Sequence, residues 1–149
     1  DFHVHYDSES STLVKINQNS NYFKKKNNYL DFFNLKRKNS NKIKVEINTL
    51  NNLINFEKKR YIDLVKIDTE GYDFNVVKGL GKSINKVRYI YFEHHFHDML
   101  MKDYKFNDID RYLKKNNFNK VFKIKMFFRK TFEYIYKNNS IIEWKNLHL

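Results

Sequence analysis

The chain has 149 residues, the length of one domain, and carries 29 Lys and Arg against 17 Asp and Glu, a formal charge of +12. It has no cysteine, which excludes disulfide frameworks, thiolate catalysis and cysteine-based zinc sites. No apolar run approaches the ~18 residues of a membrane span, so no span is expected, and a chain without disulfides is compatible with a cytoplasmic location. The opening Asp1-Phe2-His3-Val4-His5 is not a signal peptide and lacks an initiator Met, so the start is expected to be processed or preceded by further chain. The basic excess is unevenly placed. Residues 61–100 hold 5 basic and 6 acidic groups, while residues 1–60 hold 12 and 6 and residues 101–149 hold 12 and 5. With 24 Lys and 21 Asn and no Ala or Pro, the charge reads as compositional skew on a solvated face. A nucleic-acid groove would need those charges on one face, so nucleic acid is not an expected partner.

In chain order, Thr12–Ile16 predicts a short strand, and residues 17–42, rich in Asn and Lys, a variable excursion that is partly helical. Ile43–Ile47 alternates apolar and charged residues, the pattern of a half-buried strand. Thr49 is placed to cap a helix carrying Leu50, Leu53 and Ile54 on one face, stopped by the charged turn Glu57–Arg60. Tyr61–Asp68 predicts a strand apolar on both faces, as in a buried parallel sheet. A helix after Gly71 then carries Val76, Val77, Leu80 and Ile84, and Val87–Phe92 is a further strand. Asn107 is a cap for a helix with Phe106, Ile109 and Leu113 as its buried stripe, ended by a left-handed turn at Asn116-Asn117. Val121–Met126 and Thr131–Tyr136 are joined by so short a connection that they must form an antiparallel hairpin.

Chemistry concentrates at two strand ends. Asp68 and Glu70 follow the Tyr61–Asp68 strand, and Lys66, Asp68 and Glu70 face one way while the extended conformation lasts. Open α/β sheets bind ligands at the carboxyl ends of parallel strands, and Gly71 permits a sharp exit there. The second end is Glu93-His94-His95-Phe96-His97-Asp98. His95 and His97 can share a face and suit zinc or iron, but no distant partner ligand is identifiable, and no metal is expected. Solvated, incidental placement is the competing reading of this cluster, and an ion pair with Lys66 that of Asp68 and Glu70. The 25 Tyr and Phe residues fall mostly on apolar strand faces, which favours core packing over base stacking.

The string Lys66-Ile67-Asp68-Thr69-Glu70-Gly71, after an apolar strand and before a helix ending Val77-Lys78-Gly79, resembles FkbM-type S-adenosylmethionine-dependent methyltransferases. The Ile47–Ile54 segment is similar to that family's Thr-Leu-Asp-Asp-Leu stretch, with Asn51 and Asn52 in place of its acids. Ile90-Tyr91-Phe92-Glu93 is similar to its next strand, and Glu9–Leu13 to its serine-rich segment. The resemblance implies a methyl transfer from S-adenosylmethionine to a hydroxyl of a small molecule or sugar, with Asp68, Glu70 and Glu93 at its site; His95, on the same strand end as Glu93, joins them as a candidate catalytic residue. It also implies a Rossmann-like class I fold whose front carries a glycine-rich turn. Here the only glycines are Gly71, Gly79 and Gly81, so roughly 60 residues of two βα units are missing from the pattern. The expectation is one partial domain over residues 1–149: the C-terminal portion of an α/β methyltransferase fold, mainly parallel and ending in a β-hairpin. Cofactor-binding residues are then unassigned, and the fragment alone is expected to be inactive. A basic nucleic-acid-binding module and an inactive remnant are the alternatives. Tyr61–Asp68 and Val87–Phe92 should be adjacent parallel strands, with Asp68, Glu70, Glu93 and His95 converging at one sheet edge.

Overall fold

The computed structural model describes residues 2–4, 11–32, 41–53, 61–127 and 129–141. Along the chain run β1 (Phe2–Val4), α1 (Asn21–Phe32), β2 (Asn41–Ile43), α2 (Leu50–Leu53), β3 (Ile62–Ile67), α3 (Asp73–Gly79), a 3-10 helix (Gly81–Lys86), β4 (Val87–His95), α4 (Phe106–Lys115), β5 (Phe118–Lys125) and β6 (Thr131–Asn138). β1 and β2 form a small antiparallel pair, and the other four strands form one sheet in the order β3-β4-β6-β5.

β3 and β4 are parallel neighbours, in register from Ile62 beside Val87 to Ile67 beside Phe92, with α3 and the 3-10 helix as their connection. β6 then runs antiparallel to β4, and β5 closes the hairpin on β6 with an irregularity between Lys120 and Phe122. The sheet is therefore mixed, with one parallel and two antiparallel pairings among the described strands, which corrects the expectation of a mainly parallel sheet. The expected adjacency of the two acid-ended strands and the expected hairpin are both present.

The core forms where the helices lie on the sheet. Val77, Leu80 and Ile84 from the crossover, Ile109 and Leu113 from α4, and Ile90, Phe92, Phe118, Tyr134 and Tyr136 from the strands are all but fully buried. Each such side chain contributes about 1.5–3 kcal/mol of transfer free energy. Phe92, Tyr104, Phe118, Tyr134 and Tyr136 enter this core, with the Phe92 and Tyr134 rings 5.5 Å apart and those of Phe106 and Tyr134 4.4 Å apart. Tyr29, Phe32, Phe96, Phe122 and Phe127 are exposed, so core packing accounts for only part of the aromatic content. At the start of α4 the cap lies two residues earlier than Asn107, at Lys105: the Asp108 carboxylate accepts the Lys105 backbone N–H at 2.8 Å. Asn117 takes the expected left-handed conformation, φ 63°, past the helix end. Thr49 caps α2, its hydroxyl accepting the Asn52 N–H at 3.3 Å. Ser20 does the same for α1 through the Phe23 N–H at 3.1 Å.

Three local expectations fail for identifiable reasons. Thr12–Ile16 is not a strand but two isolated bridges, Thr12 to His3 and Ile16 to Leu100, around a bend. The Thr12 hydroxyl donates to the Glu70 carbonyl at 2.7 Å and accepts the Val14 N–H at 3.1 Å, a local bonding pattern that competes with a ladder. Ile43–Ile47 leaves the pair after Ile43, and its apolar side chains are exposed rather than half-buried. β3 is an edge strand of the described sheet, with Leu64 54% exposed, so it is not covered on both faces. Ile54 and Glu57–Arg60 lie outside the described residues.

Candidate functional site

β3 delivers the chain to a tight turn whose two central residues are left-handed, Glu70 at φ 47° and Gly71 at φ 92°. For Glu70 that conformation costs about 1–2 kcal/mol, and the surroundings hold it there. Its carbonyl accepts the Thr12 hydroxyl, and the next carbonyl, of Gly71, accepts the Tyr104 hydroxyl at 3.0 Å. The buried Asp73 carboxylate, one turn on, accepts the Thr69 N–H at 3.1 Å and its hydroxyl at 2.8 Å, and the Tyr104 hydroxyl at 3.3 Å. Thr69, Asp73 and Tyr104 thus brace the turn from within, and Glu70 is left to project from it.

β4 supplies the facing groups. Strand alternation sends Glu93 and His95 to one face and His94 to the other. His94 packs edge-on against Phe96 and Phe106, with ring centroids 4.7 and 5.6 Å away, as a core aromatic would. His95 lies with its Nε2 3.4 Å from Glu70 Oε2 and 3.6 Å from Glu93 Oε2, and one donor atom from each of the three residues falls within 4.8 Å of the others. The Lys102 ammonium donates to the His95 carbonyl and so anchors the strand end. His97 continues along the same edge, its ring stacked on Tyr22 of α1 at 4.1 Å and 13°. The three histidines are buried, which corrects the reading of a solvated cluster.

Of the four expected site residues, Glu70, Glu93 and His95 come together. Asp68 does not join them: its half-exposed carboxylate pairs with Lys66 at 3.5 Å, an exposed ion pair worth about 0–1 kcal/mol. Its charge is nonetheless felt inside. Burial pushes the Glu70 carboxyl up to about 7, with Asp68 and Asp73 adding to the rise and Lys26 and Arg129 opposing it. Burial likewise takes Glu93 up to about 7, with Asp68 and Glu70 reinforcing it. Burial holds the His95 imidazole down to about 3, helped by His97 and Lys102, so its contacts with the carboxyls are made by a neutral ring and are not a salt bridge. Two carboxyls that share a site and cannot both ionise freely are poised to take up or release a proton near neutral pH.

Two groups here escape sequence reasoning. Tyr22 belongs to a stretch with no recognisable pattern, and only tertiary docking of α1 brings it to His97. Tyr104, 31 positions beyond Asp73 in sequence, reaches the turn through the fold alone. Asp73 carried a weak signal, an acid in the first turn of the predicted helix and four residues after Thr69. Beside the Tyr22–His97 stack a cavity of about 320 Å³ is lined by Asn21, Lys25, Phe96, Asp98 and Lys130.

An α/β layer with acids at the carboxyl ends of two adjacent parallel strands is the arrangement of a ligand-binding α/β domain. The chain belongs to the methyltransferase FkbM domain family, whose family model matches residues 1–120. That family is one of methyltransferases, and the matched span runs from the first residue into β5. No curated protein and no solved structure matches the chain. Among the described residues no helix is long and apolar enough to cross a membrane.

The family implies S-adenosylmethionine, and the glycines test whether these residues cradle it. A backbone cradle needs glycines whose missing Cβ leaves room for ligand. At Gly71 a Cβ would stand 3.1 Å from Leu100 Cδ1 and 3.2 Å from Val14 Cγ2, at Gly79 3.8 Å from Thr49, and at Gly81 3.4 Å from Asn51. Gly71 makes room for the protein's own side chains, whereas a Cβ at Gly79 or Gly81 would meet only ordinary contacts, and Gly79 lines a cavity of about 510 Å³ with Thr69, Tyr72, Asn75 and Val76. The one glycine of the acidic motif, Gly71, is therefore packed against the protein itself and does not open a backbone cradle.

Proposed function

We propose that the chain builds the acceptor side of an S-adenosylmethionine-dependent methyltransferase acting on a hydroxyl oxygen of a small molecule or sugar. The observation that carries this reading is the meeting of Glu70, Glu93 and His95, from two parallel strand ends, around His95 Nε2 at 3.4 and 3.6 Å. In this reading Glu70 or Glu93 receives the hydroxyl proton, the neutral His95 ring orients the carboxyls, and Asp68 forms the rim. Positioning the oxygen contributes most, with proton removal adding about 10²–10⁴-fold. In this reading the donor's binding surface belongs to another part of the domain, residues 1–149 being a partial FkbM-type domain; the lack of a glycine-rich turn ahead of the acidic motif supports that division.

The test is the identity of the methylated atom. The intact enzyme, given S-adenosylmethionine labelled in its methyl group and a panel of sugars and small alcohols, should yield a methyl ether by NMR. Labelled methyl on nitrogen or carbon, with no ether formed, would overturn the acceptor class.

A further inference from the structure

In the sequence alone, the histidine cluster lacks a distant partner ligand. The fold supplies one: Glu70, 25 positions from His95, arrives from the neighbouring strand end. We propose that Glu70, Glu93 and His95 form a three-ligand site for a divalent cation of the Mn²⁺, Fe²⁺ or Zn²⁺ class.

The spacing suits an ion. Two ligand bonds of about 2.1 Å at a tetrahedral angle put their donor atoms about 3.4 Å apart. His95 Nε2 stands at 3.4 and 3.6 Å from the two carboxylate oxygens, and all three donor atoms lie within 4.8 Å. The set is more than a pair of acids. The His95 side chain is 5% exposed, and its Nε2 stands 3.4 Å from Glu70 Oε2 and 3.6 Å from Glu93 Oε2, within reach of both carboxylates. The ring is fixed from behind by His97, 5.1 Å away, and by the Lys102 ammonium on its own carbonyl. The left-handed Glu70 backbone brings the third donor round to meet it. One imidazole and two carboxylates favour a borderline divalent ion over calcium, and the absence of thiolates disfavours copper(I). Two carboxylates also match the charge of such an ion. Three protein ligands leave a position open, the pattern of a catalytic rather than a structural metal. Its use there, binding the acceptor oxygen and making its proton more acidic, rests on the acceptor-side reading above; the site itself does not.

Mn²⁺ titrated into chelator-treated protein and followed by electron paramagnetic resonance should show one tightly held ion per chain. Glu70→Gln, Glu93→Gln and His95→Ala should each weaken it at least ten-fold, about what loss of a mere supporting residue produces at metal sites, while Asp98→Asn should bind as the parent. Should a variant fail to fold, pulsed measurements on the unmodified protein still decide, because a nitrogen coupling from one imidazole must appear on the Mn²⁺. No saturable binding, binding without that coupling, or binding indifferent to all three substitutions would overturn the site. Absent Mn²⁺ binding with methyl transfer surviving chelation would remove the metal and leave the acceptor-side reading standing. Mn²⁺ bound as described without methyl transfer would do the reverse.

Discussion

Glu70 and Gly71 show how a six-residue motif becomes a site. The extended alternation that would put Asp68 and Glu70 on one face does not reach Glu70: β3 ends at Ile67, and Glu70 and Gly71 are left-handed. Asp68 therefore stays with Lys66 at the rim, and Glu70 swings in toward His95. The acids and the glycine were legible in the sequence; the parting of the two acids was not, since it depends on the Tyr104 and Thr12 hydroxyls holding the turn from distant segments. Gly71 is the residue least open to change. At φ 92°, with Leu100 and Val14 packed where a Cβ would go, Gly71→Ala meets backbone strain and a clash together. Its expected cost is about 2–3 kcal/mol, a fall of roughly 4–12 °C in melting temperature for a domain of this size. A melting temperature within one or two degrees of the parent would show that the turn relaxes without difficulty.

Elements with strong periodicity read correctly and those governed by side-chain capture did not. The β3–α3–β4 crossover, the stripe Ile109–Leu113 and the β5–β6 hairpin all follow from apolar spacing alone. Thr12–Ile16 has strand-like residues, yet its hydroxyl and its backbone are engaged by Glu70 and by the Met99–Met101 segment. The link between α4 and β6 gives a pH-dependent test. Asp110 accepts hydrogen bonds from the Lys114 ammonium, 2.7 Å away, and from the Tyr136 hydroxyl. Burial would raise its pKa, but those two bonds outweigh it and hold the carboxyl below its usual value. A depressed folded-state pKa means stability that is present above the unfolded value near 4 and is lost as pH falls through the folded one. Asp110→Asn should thus cost about 1 kcal/mol at pH 7, read from urea midpoints, with the gap to the parent closing below about pH 4. A gap that stays constant down to pH 3 would mean that the charge on Asp110 contributes nothing.

At the scale of the molecule, the proposal divides the reaction between an acceptor side built here and a donor side built elsewhere. The described residues build a mixed sheet with Glu70, Glu93 and His95 clustered at one edge, and Gly71 is packed against Leu100 and Val14. Isothermal titration of residues 1–149 with S-adenosylmethionine should accordingly show weak binding or none; micromolar affinity would mean that a donor cradle exists without glycine-rich backbone. The central claim, that Glu70 and Glu93 serve the reaction and not merely the fold, is tested most directly by turnover per folded molecule. Glu70→Gln and Glu93→Gln, each assayed in the intact enzyme alongside its melting temperature, separate the two roles. The variant lacking the base should lose about 10²–10⁴-fold in rate while melting close to the parent, since glutamine keeps the shape and removes the proton acceptor. Full turnover in both variants, with any loss confined to melting temperature, would contradict the account and return the two carboxyls to the scaffold.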